Sequence, residues 1–187
     1  METPGRRERK KAATRQALAD AALKLFLERG YDQVSIRDIA EAADVSTTTL
    51  FKHFSGKEAL VFDEAQDREA NLIAAVRQRR AGQTVVEALR EYVLATWLPI
   101  TEHPQYPEFT ALVSGTPALQ EYGERLWTRH AAALSAAIAE DAGVDADDIA
   151  CRALARFVLD IPALTRGRPD PRTDVEKIFD LLERGWR

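Results

Sequence analysis

The chain has 187 residues, of which 45% are apolar, and its 26 Lys and Arg against 30 Asp and Glu give a formal net charge of −4. No apolar run reaches the ~20 residues of a membrane-spanning helix, and the charged N-terminus is not followed by the apolar segment of a signal peptide. The length predicts one large or two small domains. The single cysteine excludes an internal disulfide framework, and we therefore expect a protein of the reducing cytoplasm.

The charges are unevenly distributed along the chain. Residues 1–55 contain 10 basic and 8 acidic side chains, and the remaining residues contain 16 and 22. The basic cluster at the start consists of Arg6, Arg7, Arg9, Lys10, Lys11 and Arg15. A basic end on an acidic body predicts a protein that docks on DNA by that end. The same cluster is also compatible with a solvated, disordered arm.

The N-terminal third predicts three helices. The first runs from about Glu8 to Arg29, and Gly30 follows as a C-cap signal. Ser35 is the N-cap of a second helix that ends near Ala43, with Asp44 in the turn because Asp tolerates left-handed dihedral angles. Ser46 is the N-cap of a very short third helix, which the apolar residues at 50, 51 and 54 hold in place. This spacing predicts a helix-turn-helix, although the same geometry also occurs as scaffold.

The rest of the chain also carries helix signals only, without a strand pattern or an internal repeat. We predict a fourth helix from a Ser55–Glu58 capping box to about Arg80 and a fifth over about residues 84–98, ending at Pro99. Later helices are expected over residues 107–113, from a Thr116–Pro117 start to about 141, from about 145 to 162–167, and from a Thr173–Glu176 capping box to near 185. The predicted fold is all-α with about nine helices.

This arrangement resembles the TetR family of bacterial transcriptional regulators over about residues 10–60. The resemblance rests on Phe26, Gly30, Tyr31, Ser35, Ile39, Ala40, Ala43, Val45, Ser46, Leu50, Phe51, His53, Phe54, Lys57 and Leu60. Asp44 departs from the usual Gly of the turn, and Phe51 departs from the usual Tyr, whose hydroxyl would contact a phosphate. The resemblance implies a DNA-binding domain with a basic arm over residues 1–55 and a larger helical domain for effector binding and dimerisation over residues 56–187.

The third helix supplies most of the residues expected to contact DNA. Thr47 and Thr48 at its tip are assigned to base readout, and Lys52 to a base or a phosphate. The other expected contacts, mainly to phosphate, are Arg37, Ser46, Thr49, Phe51, His53 and Lys57. For the threonines the alternative is a solvated turn, for Lys57 an ion pair at a helix end, and for His53 a boundary position without a ligand.

The resemblance implies an effector pocket and a dimer interface in the second domain. The candidate pocket residues are Trp97, His103, Tyr106, Phe109, Tyr122, Trp127 and Phe157, each of which could instead be a core residue. The effector is unknown, and an acyl thioester or another apolar ligand is suggested by analogy with relatives. The last two helices, about 145–166 and 173–186, would pair with a second copy through Ala150, Leu154, Phe157, Val158, Ile161, Phe179 and Leu182.

The alternative functions are an enzyme and an adaptor. The sequence lacks a nucleophile elbow, a phosphate-binding Gly loop and a His-Glu-x-x-His pair, so no catalytic residue, cofactor or metal site is predicted. Cys151 is expected to be a buried structural thiol. A helical dimerisation or adaptor protein without sequence-specific DNA binding is the remaining alternative to a repressor that binds a palindromic operator as a dimer and is released by a small molecule.

Overall fold

The computed structural model describes residues 5–63 and 65–185, without the side chains of residues 65 and 66. Over these residues it confirms the all-helical prediction, since they contain α-helices, one π-helical turn and no strand. The α-helices are α1 Arg6–Arg29, α2 Ile36–Ala42, α3 Thr47–His53, α4 Lys57–Val61, α5 Ala65–Arg77, α6 Val85–Tyr92, α7 Leu98–Thr101, α8 Tyr106–Gly115, α9 Pro117–Ala142, α10 Ile149–Thr165 and α11 Pro171–Arg184. The start of the predicted arm, residues 1–4, and the end of the predicted interface, residue 186, lie outside the described residues.

The chain divides into two compact units. Unit 1 comprises residues 1–63 together with 107–123, and unit 2 comprises residues 64–106 and 124–187. Unit 1 therefore includes a segment from the middle of the sequence as well as the N-terminal helices. The functional division at residues 55 and 56 stays a prediction.

Unit 1 has its own apolar core, built from one face of each N-terminal helix. Leu18, Ala22, Leu25 and Phe26 of α1 recur at helical spacing and are buried. They pack in one cluster with Tyr31, Val34, Ile39, Ala40, Leu50, Phe54, Leu60, Val61 and Leu119. The short helices α2 and α3 are therefore held by burial, since helices of this length are marginal alone.

The turn between α2 and α3 adopts the conformation expected from Asp44. Asp44 has a φ of 52°, and among the described residues it is the one non-glycine residue with a positive φ. The amide of Val45 then donates to the carbonyl oxygen of Ala40 at 2.9 Å, which closes the turn. Asp can occupy the left-handed region because its short polar side chain bonds locally, whereas a β-branched residue is strained there.

Replacing Asp44 by Val is therefore expected to lower the free energy of unfolding by about 1–2 kcal/mol, the cost of left-handed dihedral angles for an L-residue. Chemical denaturation monitored by circular dichroism measures this change. Asp44→Asn is the matched control and should remain close to the parent, because Asn also tolerates this region. Equal stability of the Val and Asn variants would show that the turn is not strained.

The helix around residue 60 differs from the prediction. The long helix from Ser55 to Arg80 is replaced by α4 and α5, and α4 begins at Lys57 after an N-cap at Gly56 that lacks a side-chain cap bond. The Ser55–Glu58 capping box is wrong because the carboxylate of Glu58 accepts instead from the hydroxyl of Tyr31, at 2.7 Å. Helix α4 ends where Phe62 and Asp63 form a turn.

Other helix boundaries differ from the predicted ones for reasons that lie in the local sequence. Pro99 does not end the fifth helix, because the backbone passes through a π-helical turn at Val93–Trp97 and Pro99 then occupies the first turn of α7, where a proline is tolerated. Helix α10 begins after Asp148, whose carboxylate caps Ala150 and Cys151, rather than near residue 145. The predicted Thr173 cap is wrong, since Asp170 caps α11 with a proline at its first position.

Unit 2 is a separate helical core. Its buried residues come from α5, α6, the π-helical turn, α9, α10 and α11, with Leu89, Val93, Trp97, Leu134, Ala155, Val158, Leu159, Ile161 and Phe179 among them. Cys151 is 7% exposed in this core, and burial raises the pKa of its thiol, as expected for a structural cysteine.

Candidate nucleic-acid interface

The helix pair α2 and α3 is fixed by its own caps. The hydroxyl oxygen of Ser35 accepts from the amide of Asp38, and that carboxylate accepts from the amide of Ser35, which is a reciprocal capping box. In α3 the hydroxyl oxygen of Ser46 accepts from the amide of Thr49 at 3.1 Å and lies 2.9 Å from the Thr49 hydroxyl. Both starts follow the sequence prediction.

Helix α3 has one buried and one exposed face. Leu50 is 0% exposed and Phe54 is buried in the core of unit 1. The opposite face carries four exposed side chains, Thr47, Thr48, Phe51 and Lys52. A short, capped helix with a polar and apolar exposed face is what the second helix of a helix-turn-helix presents to the major groove.

Three of the predicted DNA-binding residues, Arg37, Ser46 and Thr47, border the same groove. An open groove of about 420 Å³ is lined by Arg37, Ala40, Glu41, Asp44, Val45, Ser46 and Thr47. Arg37 is exposed, so its guanidinium is free to turn towards a phosphate beside the tip of α3.

Lys57 is tied into the protein itself. Its ammonium group donates to the carbonyl oxygen of Tyr31 at 2.7 Å and lies 4.1 Å from the centre of the Tyr31 ring. The neighbouring Tyr31 hydroxyl donates to Glu58, and burial and that bond raise the pKa of the phenol. Lys57 therefore fastens the start of α4 to the corner after α1, and its predicted phosphate contact must coexist with this structural role.

Arg15 is a residue whose role the sequence analysis missed. Its guanidinium donates to the carbonyl oxygens of His53 at 3.2 Å and Asp63 at 2.6 Å, and Nε lies 2.6 Å from the Asp63 carboxylate. The same group stacks 4.6 Å from the centre of the Phe54 ring. Arg15 thus anchors the end of α3 to α1. No local signal could have revealed this, because the partners lie 38 and 48 residues away in sequence.

The surroundings of His53 favour the uncharged form of its imidazole. Partial burial, followed by the nearby charges of Lys11 and Arg15, lowers the pKa of its imidazole from the usual value of 6.5. A neutral imidazole can donate one hydrogen bond to a phosphate but does not contribute a full positive charge at pH 7.

The lowered pKa predicts a pH dependence of stability. At this site the unfolded chain binds protons more readily than the folded chain. The contribution of His53 to the free energy of unfolding is therefore undiminished above about pH 6.5 and decreases as the pH falls below that value. We expect the free energy of unfolding to decrease between pH 7 and pH 5 less steeply in His53→Gln than in the parent chain. Urea titrations at several pH values measure this difference, and parallel curves would contradict the assignment.

The predicted pocket residues belong to separate groups. Trp97 and Trp127 lie in unit 2, with ring centres 6.2 Å apart, and Trp127 is 6.1 Å from the buried His130. Phe109 and Tyr122 lie in unit 1, where both rings pack against Phe62. Their ring centres lie 6.3 and 5.5 Å from that of Phe62. The aromatic residues named from sequence are therefore not one cluster.

Three other pocket candidates have different surroundings. Tyr106 is half-buried at the start of α8. His103 is exposed, and its Nδ1 accepts from the backbone amide of Gln105. Phe157 is 55% exposed on α10, so it does not belong to an enclosed pocket in the monomer. The assignment of His103 and Phe157 to an effector pocket stays a prediction, and neither side chain is enclosed in this structure.

The residues assigned to the dimer interface fall into a buried group and a more exposed group. Val158, Ile161 and Phe179 are at most 1% exposed in the core of unit 2, so they cannot offer area to a partner and are removed from the predicted interface. Ala150 is exposed and Leu154 and Leu182 are half-buried. Ile149 and Leu164, which the sequence analysis did not name, are 74% and 59% exposed on the same helix as Phe157. Periodicity identified apolar stripes of α10 but not which one faces outward.

These features define a class of protein: a helix-turn-helix DNA-binding regulator with a separate helical unit. Residues 18–63 match the family model for bacterial regulatory proteins of the tetR family. The regulator TcmR of Streptomyces glaucescens is 32% identical over 152 residues, which cover 78% of this chain and 67% of TcmR. The chain spans less than two thirds of the length of several other curated relatives.

Solved structures share the fold at lower identity. NalD of Pseudomonas aeruginosa, the secondary repressor of a multidrug efflux pump, is 21% identical with a TM-score of 0.60, covering 94% of this chain and 100% of its own. FadR of Bacillus subtilis, solved in complex with stearoyl-CoA, is 15% identical with a TM-score of 0.57, covering 92% and 99%. The chain belongs to the TetR family of transcriptional regulators, and it is a DNA-binding regulator.

None of the helices among the described residues combines the length and the apolar character needed to cross a bilayer. Within the same residues, no three His, Cys, Asp or Glu side chains are grouped so that they could hold a metal ion.

Proposed function

We propose that this regulator is a repressor that binds a palindromic operator in the bacterial cytoplasm as a homodimer and is released by a small-molecule effector. The observation that carries the DNA-binding part is the division of α3 into a buried face around Leu50 and an exposed face with Thr47, Thr48 and Lys52. Such a helix can enter the major groove without any loss of packing in unit 1.

The homodimer is supported by an apolar surface on α10. Ile149, Phe157 and Leu164 are each more than half exposed, and the neighbouring Ala153 is exposed as well. Large exposed rings and aliphatic groups beside small residues permit close helix packing across a two-fold axis. In such a dimer two copies of α3 would read half-sites about 34–36 Å apart, which is one turn of DNA.

The effector site is proposed around the tryptophan pair of unit 2. Trp97 is 4% exposed, and its indole Nε1 has no acceptor within the described residues. It ends the π-helical turn, a feature that often marks functional sites. A carbonyl oxygen of a bound ligand would satisfy this donor, and the surrounding rings would receive an apolar chain. An acyl thioester, the class to which stearoyl-CoA belongs, combines both groups.

The DNA-binding proposal is tested with the matched pair Thr48→Ala and Lys52→Ala. A duplex selected from a random pool is titrated by fluorescence anisotropy against the parent and both variants. We expect Lys52→Ala to weaken binding to all duplexes and to reduce its salt dependence, if Lys52 contacts a phosphate. Thr48→Ala should instead narrow the difference between the selected and a scrambled duplex. Unchanged affinity and selectivity in both variants would contradict the proposal.

The effector proposal is tested by adding stearoyl-CoA to the protein–duplex complex. We expect a loss of anisotropy as the complex dissociates, and a higher ligand concentration for half-dissociation in Trp97→Phe, which keeps a ring but lacks the donor. Equal sensitivity of parent and variant would remove Trp97 from the site.

A further inference from the structure

Phe51 is an unusual residue for the outward face of a DNA-binding helix. Its side chain is 57% exposed, whereas the adjacent Leu50 is fully buried. Phe51 also lacks the hydroxyl by which a tyrosine could contact a phosphate. An exposed phenyl ring gains nothing from water, and an apolar partner in the complex would remove it from water.

The neighbours of Phe51 make this part of the face apolar. Thr47 precedes it by four residues, one helical turn, so both side chains lie on the same side of α3. Of the other two threonines of the helix tip, Thr48 is exposed, and Thr49 has its hydroxyl 2.9 Å from the Ser46 oxygen, within the cap. The outward surface therefore offers a phenyl ring beside a threonine methyl group.

Only one base presents an apolar group in the major groove. Thymine carries a 5-methyl group there, whereas the other edges consist of hydrogen-bond donors and acceptors, and threonine methyl and phenylalanine side chains are the apolar contacts that fit it. We propose that Phe51, with the methyl group of Thr47 beside its ring, is the residue that reads thymine 5-methyl groups in the operator and is therefore specificity-determining. This inference rests on the proposed DNA binding.

The test uses deoxyuridine, which pairs like thymidine and lacks only the methyl group. Duplexes selected from a random pool by the full chain are resynthesised with one dT replaced by dU, either in one half-site or at the symmetric position of both half-sites. At one or more positions we expect the affinity to fall about fourfold per half-site, the factor that corresponds to burying one methyl group, and about fifteenfold when both half-sites are replaced.

Variants of the chain assign this effect to Phe51. Phe51→Ala should bind the dT and dU duplexes with equal affinity, whereas Lys52→Ala should bind both more weakly and keep the difference between them. Thermal melting of Phe51→Ala should match that of the parent because the ring is exposed.

The outcomes separate this inference from the proposed function. Selective binding with no dU effect at any position would overturn the reading by Phe51 while leaving DNA recognition intact. So would a dU effect that persists in Phe51→Ala, because another residue would then be reading the methyl group. The absence of any selected duplex would overturn both.

Discussion

Replacing Leu50 by Ala is expected to lower the free energy of unfolding of unit 1 by about 2–5 kcal/mol, the range for truncating a fully buried leucine. Leu50 is completely buried and packs in the same cluster as Phe26, Ile39 and Phe54. Because α3 has seven residues and three consecutive threonines, its intrinsic helicity cannot compensate for the loss. Urea unfolding monitored by circular dichroism measures the change.

The adjacent residue is the matched control. Phe51→Ala removes a larger side chain from an exposed position, so it should change stability by less than about 0.5 kcal/mol. Leu50→Ala should also weaken DNA binding, because a disordered α3 has to be refolded on the duplex, and raising the temperature should enlarge that loss. If the two variants had equal stability, the assignment of the buried and exposed faces of α3 would be wrong.

Replacing Phe157 by Glu is expected to convert the proposed homodimer into monomers. Phe157 is 55% exposed near the middle of α10, and a two-fold interface would bring both copies of the new carboxylate together. Like charges facing each other in an interface cost several kcal/mol, so the dimer dissociation constant should rise at least about a hundredfold. Sedimentation velocity at several protein concentrations measures the oligomeric state.

Val144→Glu is the control for this second substitution. Val144 is also an exposed apolar residue, but it lies in the connection before α10 rather than on that helix. It should leave the oligomeric state unchanged. If Phe157→Glu also leaves the oligomeric state unchanged, or if the parent chain is a monomer at micromolar concentration, α10 does not form the dimer surface.

Local signals predicted the DNA-contacting half of the fold well. Ser35 and Ser46 cap the helices expected of them, and Asp44 occupies the left-handed position, because these features depend on hydrogen bonds and dihedral angles within a few residues. The resemblance to the family added the relation between these helices and DNA.

Long-range contacts explain most of what could not be predicted. Glu58 fits a capping box by sequence but bonds to Tyr31, which is 27 residues away, and Lys57 is committed to the same corner. Arg15 looked like part of a basic arm, although it holds Asp63. Where several partners are available to one charged group, the tertiary structure determines which of them it binds. The spacing of residues in the sequence contains no information on that choice.

The second unit was less predictable for a related reason. An apolar residue on a helix can face the monomer core or a second copy, and the period of the pattern is the same in both cases. Phe179 and Phe157 illustrate the difference, since one is fully buried and the other more than half exposed. Likewise, aromatic residues that are scattered in sequence were assigned to one pocket, while Trp97 and Phe109 belong to separate cores.

Selection of duplexes from a random pool by the full chain tests the central claim most directly, because it asks whether the exposed face of α3 distinguishes sequences at all. We predict enrichment of one inverted repeat with half-site centres about 10 base pairs apart, and its loss when Thr47 and Thr48 are both replaced by Ala. A pool that remains random after repeated rounds at moderate salt, or an enriched motif that is unaffected by the double substitution, would contradict this account.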